Sequence, residues 1–178
     1  MLETLQMSPF GAFHTAISLV ALAAGVIALV RDGAITWQSR LGKTFAVTTA
    51  LTALTGFGIY HHGGFGKPHV LGILTLLVLG LAAAARRTRW FGRSSPAVEI
   101  VAYSAAVFFH MGPAVIETTT RFPLGRPLLA DRDGPAALAI NGALFLLFLA
   151  GAYLQVRRLN APKSNPKPMA ASMATRAA

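Results

Sequence analysis

Five long apolar segments, separated by short polar ones, dominate the sequence. They cover residues 9–30, 41–60, 69–85, 97–116 and 136–156. A helix of about 20 apolar residues is long enough to cross a hydrocarbon core of roughly 30 Å. The pattern therefore predicts an all-α integral membrane protein, with five transmembrane helices in one bundle over residues 1–158. Residues 159–178 contain too little apolar surface to fold and are predicted to form a disordered tail.

Composition supports the membrane class and narrows the chemistry. Apolar residues make up 54% of the chain and charged residues 12%, about half the charged fraction of a typical soluble domain. There is no cysteine, which excludes disulfides, thiolate metal sites and iron–sulfur clusters. A bound metal or haem would therefore need nitrogen, oxygen or methionine sulfur as its ligands.

The net charge of +10 is explained by membrane topology better than by a nucleic-acid partner. Twelve of the 16 basic residues lie in the loops 31–43 and 86–93 and in the segment after the fifth span, and four lie in the opposite connections. The positive-inside rule then places the N-terminus outside and the tail in the cytoplasm. We expect a multi-pass protein of a bacterial inner (cytoplasmic) membrane, surrounded by the lipid bilayer.

All five histidines fall near the predicted outer surface. His14 lies about four residues inside the outer end of the first span and His110 about six residues from that of the fourth, roughly 6 to 9 Å deep. His61 and His62 end the second span, and His69 begins the third. An ionisable residue inside a membrane span indicates a functional site by default.

Helical periodicity indicates which side chains share a face. On the fourth span Tyr103 and Glu117 share the face of His110, which makes them candidate hydrogen-bonding partners of a ligand set. On the second span a row of threonines shares a side with His62, which favours His62 over His61 as the inward residue. The threonines of this row are Thr44, Thr48 and Thr55.

Imidazole nitrogen is a common ligand of haem iron, copper and zinc. A haem b would need two histidines at matching depth on facing helices, and a copper or zinc ion would need three or four that converge. The candidate metal ligands are His14, His61, His62, His69 and His110, and all but His61 are candidates for haem. The sequence thus favours a haem- or metal-binding protein in electron transfer, with quinone or a periplasmic redox protein as its partner.

A structural interpretation of the histidines stays open. Those near the glycine-rich turn 63–66 need no ligand, and the other two would serve as interhelical hydrogen-bonding groups. The chain would then hold no cofactor and would be a non-catalytic membrane subunit of a larger complex. A transporter is least favoured, because the spans show no internal repeat. The sequence has no phosphate-binding loop, Gly-x-Ser-x-Gly elbow or His-Glu-x-x-His motif, so it identifies no enzyme class.

Residues 11–90 carry a resemblance to a known group. The residues that carry it are His14, Gly25, Arg40, Leu41, Gly42, Lys43 and Gly56. Their spacing is similar to that in small bacterial multi-span predicted membrane proteins of unknown function. That group distantly resembles the transmembrane cytochrome b and ferric reductase superfamily, which carries haem on paired histidines. The resemblance implies one haem near the outer surface. Gln38 and Ser39 stand where a His-Arg pair often occurs, which argues against a second haem at the inner side.

Overall fold

The computed structural model describes residues 8–59, 64–88 and 90–161, and these residues contain helices and no strand. The predicted all-α class is confirmed, and the five long helices are consistent with the predicted number. A short 3₁₀ turn, Gly92–Ser94, precedes the fourth of them. The helices are α1 (Pro9–Asp32), α2 (Arg40–Gly56), α3 (Lys67–Arg87), α4 (Ser95–Arg121) and α5 (Pro135–Asn160).

Local sequence signals set the bounds of the first two helices. Ser8 caps α1, and its side-chain oxygen accepts a hydrogen bond of 3.0 Å from the backbone N–H of Gly11. Gly33 ends α1 with a φ of 74°, a left-handed conformation that glycine adopts at low cost. Ser39 then caps α2 through a bond of 2.9 Å from the N–H of Gly42.

Four helical segments are long and apolar enough to cross a membrane: α1, α3, α5, and α4 together with the 3₁₀ turn before it. The second helix is shorter than predicted, because it ends at Gly56 and residues 57–59 leave the helix. Its 17 residues span about 25 Å at 1.5 Å per residue. By contrast, α4 extends to Arg121, five residues past the predicted end. Most of the predicted tail lies outside the described residues.

The first four helices form a ring, in which α1 packs on α2, α2 on α3, α3 on α4, and α4 on α1. The helices α2 and α4 are therefore diagonal partners across the bundle. The fifth helix packs on the outside of α4. As a result α4 contacts three neighbours and contains the largest number of buried residues, whereas α5 stays largely exposed.

The bundle has two chemically different ends. At one end lie the start of α1, the end of α2 and the segments 64–66 and 122–134, and this is named the histidine end. At the other lie the loops 33–39 and 88–94 and the end of α5, and this is named the arginine end, because arginines border all three segments. A hydrogen bond between His14, early in α1, and Thr55, late in α2, shows that these two helices are antiparallel.

Phe45 of α2 fills the centre of the bundle and is fully buried. Its ring meets Tyr103 edge to face at 6.1 Å and lies 6.2 Å from the ring of His110. Gly25 of α1 makes this packing possible. A Cβ atom there would come within 2.8 Å of Phe45 and 2.9 Å of Val107. The close approach of α1, α2 and α4 thus depends on the missing side chain.

The second helix buries a different face from the one that its threonines predicted. Its buried residues are Gly42, Phe45, Ala46, Thr49, Thr52 and Ala53. Thr44 is exposed and Thr48 only partly buried, so the predicted inward row was wrong at these positions. The face that contains the large Phe45 ring fills the bundle interior instead, and Thr48 satisfies its hydroxyl within its own helix by donating to the carbonyl of Thr44, 2.6 Å away.

The packing around Gly25 predicts a specific loss of stability. Gly25→Ala should lower the free energy of unfolding by about 1–3 kcal/mol, because the new methyl group overpacks the contact with Phe45. Gly80→Ala is the matched control, since a Cβ there meets nothing within 4 Å. It should leave stability unchanged or raise it by up to about 1 kcal/mol. Thermal unfolding in detergent, followed by circular dichroism, measures both, and equal stabilities of the two variants would contradict this packing.

Candidate functional site

His110 lies inside the bundle with one ring nitrogen bonded and the other unpartnered. It is 7% exposed, and its Nδ1 lies 3.0 Å from the backbone carbonyl oxygen of Ala106. A carbonyl oxygen only accepts, so Nδ1 carries the proton, and in the neutral ring Nε2 holds a lone pair. This Nε2 is buried and has no hydrogen-bond partner among the described residues. A buried lone pair of this kind is available to a metal ion or a donor group.

His14 has the same tautomer as His110, but its side chain is more exposed. Its Nδ1 lies 2.9 Å from the hydroxyl oxygen of Thr55. That hydroxyl donates its own hydrogen to the carbonyl of Leu51, 2.8 Å away, so its oxygen accepts from His14. The lone pair of a neutral His14 is therefore also on Nε2. The residue is only partly buried, because it lies near the start of α1.

His69 has the opposite tautomer. Its Nδ1 accepts a hydrogen bond of 3.2 Å from the backbone N–H of Gly66, so Nε2 carries the proton in the neutral ring. The ring is 4% exposed and stacks near the rings of Phe57 and Phe65, with centroids 6.4 and 5.2 Å away. A metal-binding histidine usually donates its second ring nitrogen to a carbonyl or carboxylate. His110 has that arrangement, His14 donates instead to the hydroxyl oxygen of Thr55, and His69 accepts at Nδ1.

The depth of His110 can be read from Phe45. Because the Phe45 ring contacts both Tyr103 and His110, Phe45 is level with the α4 turn between them. Thr55, which binds His14, lies ten residues further along α2, a rise of about 15 Å. By helical rise, His14 therefore lies nearer the histidine end than His110 does. The sequence predicted similar depths for the two, and the difference arises because α4 continues to Arg121.

The described residues do not bring the predicted histidine set into one site. Among them, no three histidine, aspartate or glutamate side chains form a group that could hold a metal ion. His14 and His69 lie at the histidine end, and His110 lies deeper. His61 and His62 fall outside the described residues, so the sets that include them stay predictions.

The two predicted supporting residues have other partners. The carboxylate of Glu117 lies 2.8 Å from Arg121 of its own helix and 2.9 Å from Arg132, and the second ion pair ties the segment 122–134 to the end of α4. Tyr103 packs against Phe45 and is seven residues, about two helical turns, from His110. In this structure Glu117 holds a loop and Tyr103 fills the core.

Thr49 is a candidate that the sequence analysis missed. It is fully buried, and its hydroxyl oxygen has no hydrogen-bond partner among the described residues. Three other threonines of α2 donate to the carbonyl four residues earlier, at 2.6 to 2.8 Å: Thr48, Thr52 and Thr55. The hydroxyl of Thr49 makes no such bond, so it is free for another group. The signal in the sequence was its position one turn after Phe45 on the same helix face.

A second buried polar group lies at the arginine end and holds a loop. The Glu99 carboxylate is 8% exposed and accepts a bond of 3.4 Å from the backbone N–H of Trp37. The guanidinium of Arg86 lies over the Trp37 ring, 5.2 Å from its centroid. Gln155 of α5 donates to the carbonyl of Gly33 at 3.1 Å. These contacts fix the loop 33–39 against α3, α4 and α5.

Comparisons with known proteins do not assign this chain to a family. No protein-family model matches the sequence, and neither the characterised proteins nor the solved structures searched include a match. The cytochrome b and ferric reductase resemblance therefore stays an expectation. The functional argument depends on the geometry of the chain itself.

Proposed function

We propose that the chain is a multi-pass protein of the bacterial inner membrane, with the histidine end outside and the arginine end in the cytoplasm. Four apolar helical segments of sufficient length support this proposal. So do large apolar side chains on the outer surface of α5, where Leu138, Leu146 and Leu147 are 74, 66 and 68% exposed. Exposure on this scale is unfavourable in water and is expected against lipid.

Within this bundle we propose that His110 binds a transition metal, either as a bare ion or as the iron of haem b. We propose further that the protein takes part in electron transfer. One observation carries the proposal: the buried Nε2 of His110 has a lone pair and no partner among the described residues. A buried acceptor without a partner is costly and calls for an explanation such as a bound ion. The bond from Nδ1 to Ala106 holds the ring in the orientation and tautomer that coordination requires.

The geometry disfavours a haem held between His14 and His110. Both axial nitrogens of one haem lie about 2 Å from the same iron, so the two histidines must have the same depth. Here Thr55, the partner of His14, is more than two turns beyond Phe45, the neighbour of His110. A haem with His110 as its one protein ligand among the described residues is the second form of the proposal. Quinone or a periplasmic redox protein would exchange electrons with a copper or haem centre, whereas zinc has no redox chemistry and would serve a structural role.

A non-catalytic membrane subunit is the second candidate function. The observation that favours it is that His14 and His69 each use a ring nitrogen in a hydrogen bond within the bundle, to Thr55 of the neighbouring helix and to Gly66 respectively. Such bonds are what structural histidines make. In this alternative the exposed face of α5 would pack against another subunit, and His110 would bind no metal.

Metal content distinguishes the two candidates. We expect the wild type, purified in mild detergent, to contain copper, zinc or iron in stoichiometric amount, by metal analysis and by absorption of the oxidised and dithionite-reduced protein. His110→Gln should lose the metal, because glutamine lacks the imidazole lone pair. His69→Gln is the matched control and should keep it. A wild type without metal, or a His110→Gln variant that retains it, would contradict the proposal and favour the structural subunit.

The absence of cysteine allows a direct test of topology. Ser94→Cys places a thiol at the arginine end and Leu128→Cys places one in the connection before α5, both at exposed positions. We expect a membrane-impermeant maleimide to label Leu128→Cys in spheroplasts, and Ser94→Cys only after lysis. The reverse labelling pattern would contradict the proposed orientation, and equal labelling of both before lysis would contradict membrane insertion.

A further inference from the structure

The arginine end carries positive charge that its own acids do not neutralise. The segments 31–43, 86–99 and 157–178 contain 12 basic residues and two acidic ones, Asp32 and Glu99. Asp32 already pairs with Arg31, at 2.7 Å between Oδ1 and Nε, and Glu99 is buried against the loop 33–39. Two carboxylates cannot balance this excess, so the surface of the arginine end attracts anions.

A groove opens at this end on the outer face of α5. The residues that line it are Tyr153, Val156, Arg157, Asn160 and Ala161. Its volume of about 560 Å³ is in the range of small-ligand sites. Tyr153 and Val156 lie nearer the middle of the helix, and Arg157 and Asn160 follow toward its end. The groove is thus aromatic and apolar on one side and basic and polar on the other, and its lining includes no carboxylate.

Gln155 fixes the direction in which the groove faces. Its side chain is buried, donates from Nε2 to the carbonyl of Gly33 at 3.1 Å, and accepts from the hydroxyl of Ser104 at 2.9 Å. Tyr153 and Arg157 are each two residues from Gln155, so they lie on roughly the opposite side of the helix. Tyr153 is 65% exposed, and Arg157 is exposed as well. The bonds of Gln155 therefore turn the groove away from the bundle and toward lipid.

The neighbouring Arg158 lies in a different direction. A Cβ atom at Gly33 would come within 2.9 Å of its Nη1, so its guanidinium lies beside the turn that ends α1. Arg158 is outside the lining of the groove, although it is exposed like Arg157 and has the same charge. The two arginines therefore allow a contact in the groove to be distinguished from the general charge of this end.

An apolar stripe leads from the groove along α5. Leu149 and Leu146 lie four and seven residues before Tyr153, so they share its helix face, and both are exposed. Tyrosine is enriched at the membrane–water interface. A phospholipid has the same order of groups, with acyl chains first, then glycerol, then phosphate. Its chains match the leucines, and its phosphate matches Arg157.

We propose that this groove binds an anionic phospholipid of the cytoplasmic leaflet, with its phosphate on Arg157 and Asn160 and its acyl chains along Leu149 and Leu146. The guanidinium can donate two parallel hydrogen bonds to phosphate oxygens, and the amide of Asn160 can donate another. Basic pockets on the cytoplasmic side of membrane proteins bind such head groups. An anionic lipid is favoured over a zwitterionic one, because the lining has no carboxylate to pair with a choline or ethanolamine cation. The inference rests on the proposed orientation in the membrane and is independent of metal at His110.

Native mass spectrometry of lipid binding tests the inference. The detergent-purified protein is titrated with phosphatidylglycerol, or with phosphatidylcholine of the same acyl chains, and the affinity of the first bound lipid is measured. The wild type is compared with Arg157→Gln and Arg158→Gln. These two substitutions remove the same charge from adjacent exposed positions, so Arg158→Gln is the matched control.

We expect the wild type to bind phosphatidylglycerol about tenfold more tightly than phosphatidylcholine, and Arg157→Gln to bind phosphatidylglycerol about fivefold more weakly than the wild type. Arg158→Gln should stay within about twofold of the wild type, because an exposed charge outside the groove is screened. Equal affinities for the two lipids, or equal weakening by the two substitutions, would overturn the inference. Displacement of the lipid by inorganic phosphate at equal concentration would also overturn it, because a lipid site holds the acyl chains as well. If Arg157→Gln does not fold, the comparison of the two lipids on the wild type decides alone.

Failure of the proposed orientation gives a different result. Reversed maleimide labelling of Ser94→Cys and Leu128→Cys would overturn the orientation together with the leaflet assigned here. The expected labelling pattern without a preference for phosphatidylglycerol would overturn the lipid site alone and leave the orientation intact.

Discussion

The packing of Phe45 against Gly25 is the contact on which the arrangement of the site depends. Gly25 has no side chain, so the Phe45 ring enters the bundle centre and meets Tyr103 and His110. That contact sets the level of α2 against α4. It places His110 beside an apolar ring and brings Thr49, one turn later, to a similar level. A larger residue at position 25 would separate the helices that define this interior.

The chemistry of His110 then follows from the backbone of its own helix. The carbonyl of Ala106 accepts the Nδ1 proton, so the other nitrogen is left as a lone pair. At His69 a backbone N–H from Gly66 reverses the tautomer. The lone pair of a neutral His110 is on Nε2, whereas that of His69 is on Nδ1 and already accepts a hydrogen bond. The sequence analysis had named both residues as candidate ligands. The difference comes from whether a ring nitrogen faces a donor or an acceptor of the backbone.

Much of the fold follows from the sequence, because long apolar segments, serine caps and glycine stops are local signals. The helical faces were harder to predict. Helical periodicity predicted that Thr44 and Thr48 lie on the inward face of α2, but Thr44 is exposed and Thr48 satisfies its hydroxyl within its own helix. The predicted depth of His110 depended on where α4 ends. The apolar segment stops at residue 116, before the charged Glu117, but the helix continues to Arg121. Tautomers depend on the position of single backbone atoms, which no sequence pattern contains.

The nitrogen spectrum of His110 tests the central claim most directly. Protein labelled with ¹⁵N-histidine is studied in detergent at about pH 8, where an ordinary imidazole is neutral, before and after the addition of zinc. The His110→Gln variant assigns the signals. The account predicts a protonated Nδ1 and a bare Nε2 in the metal-free protein, and a change of the Nε2 signal when zinc binds. An Nε2 that carries the proton and does not respond to zinc would contradict it.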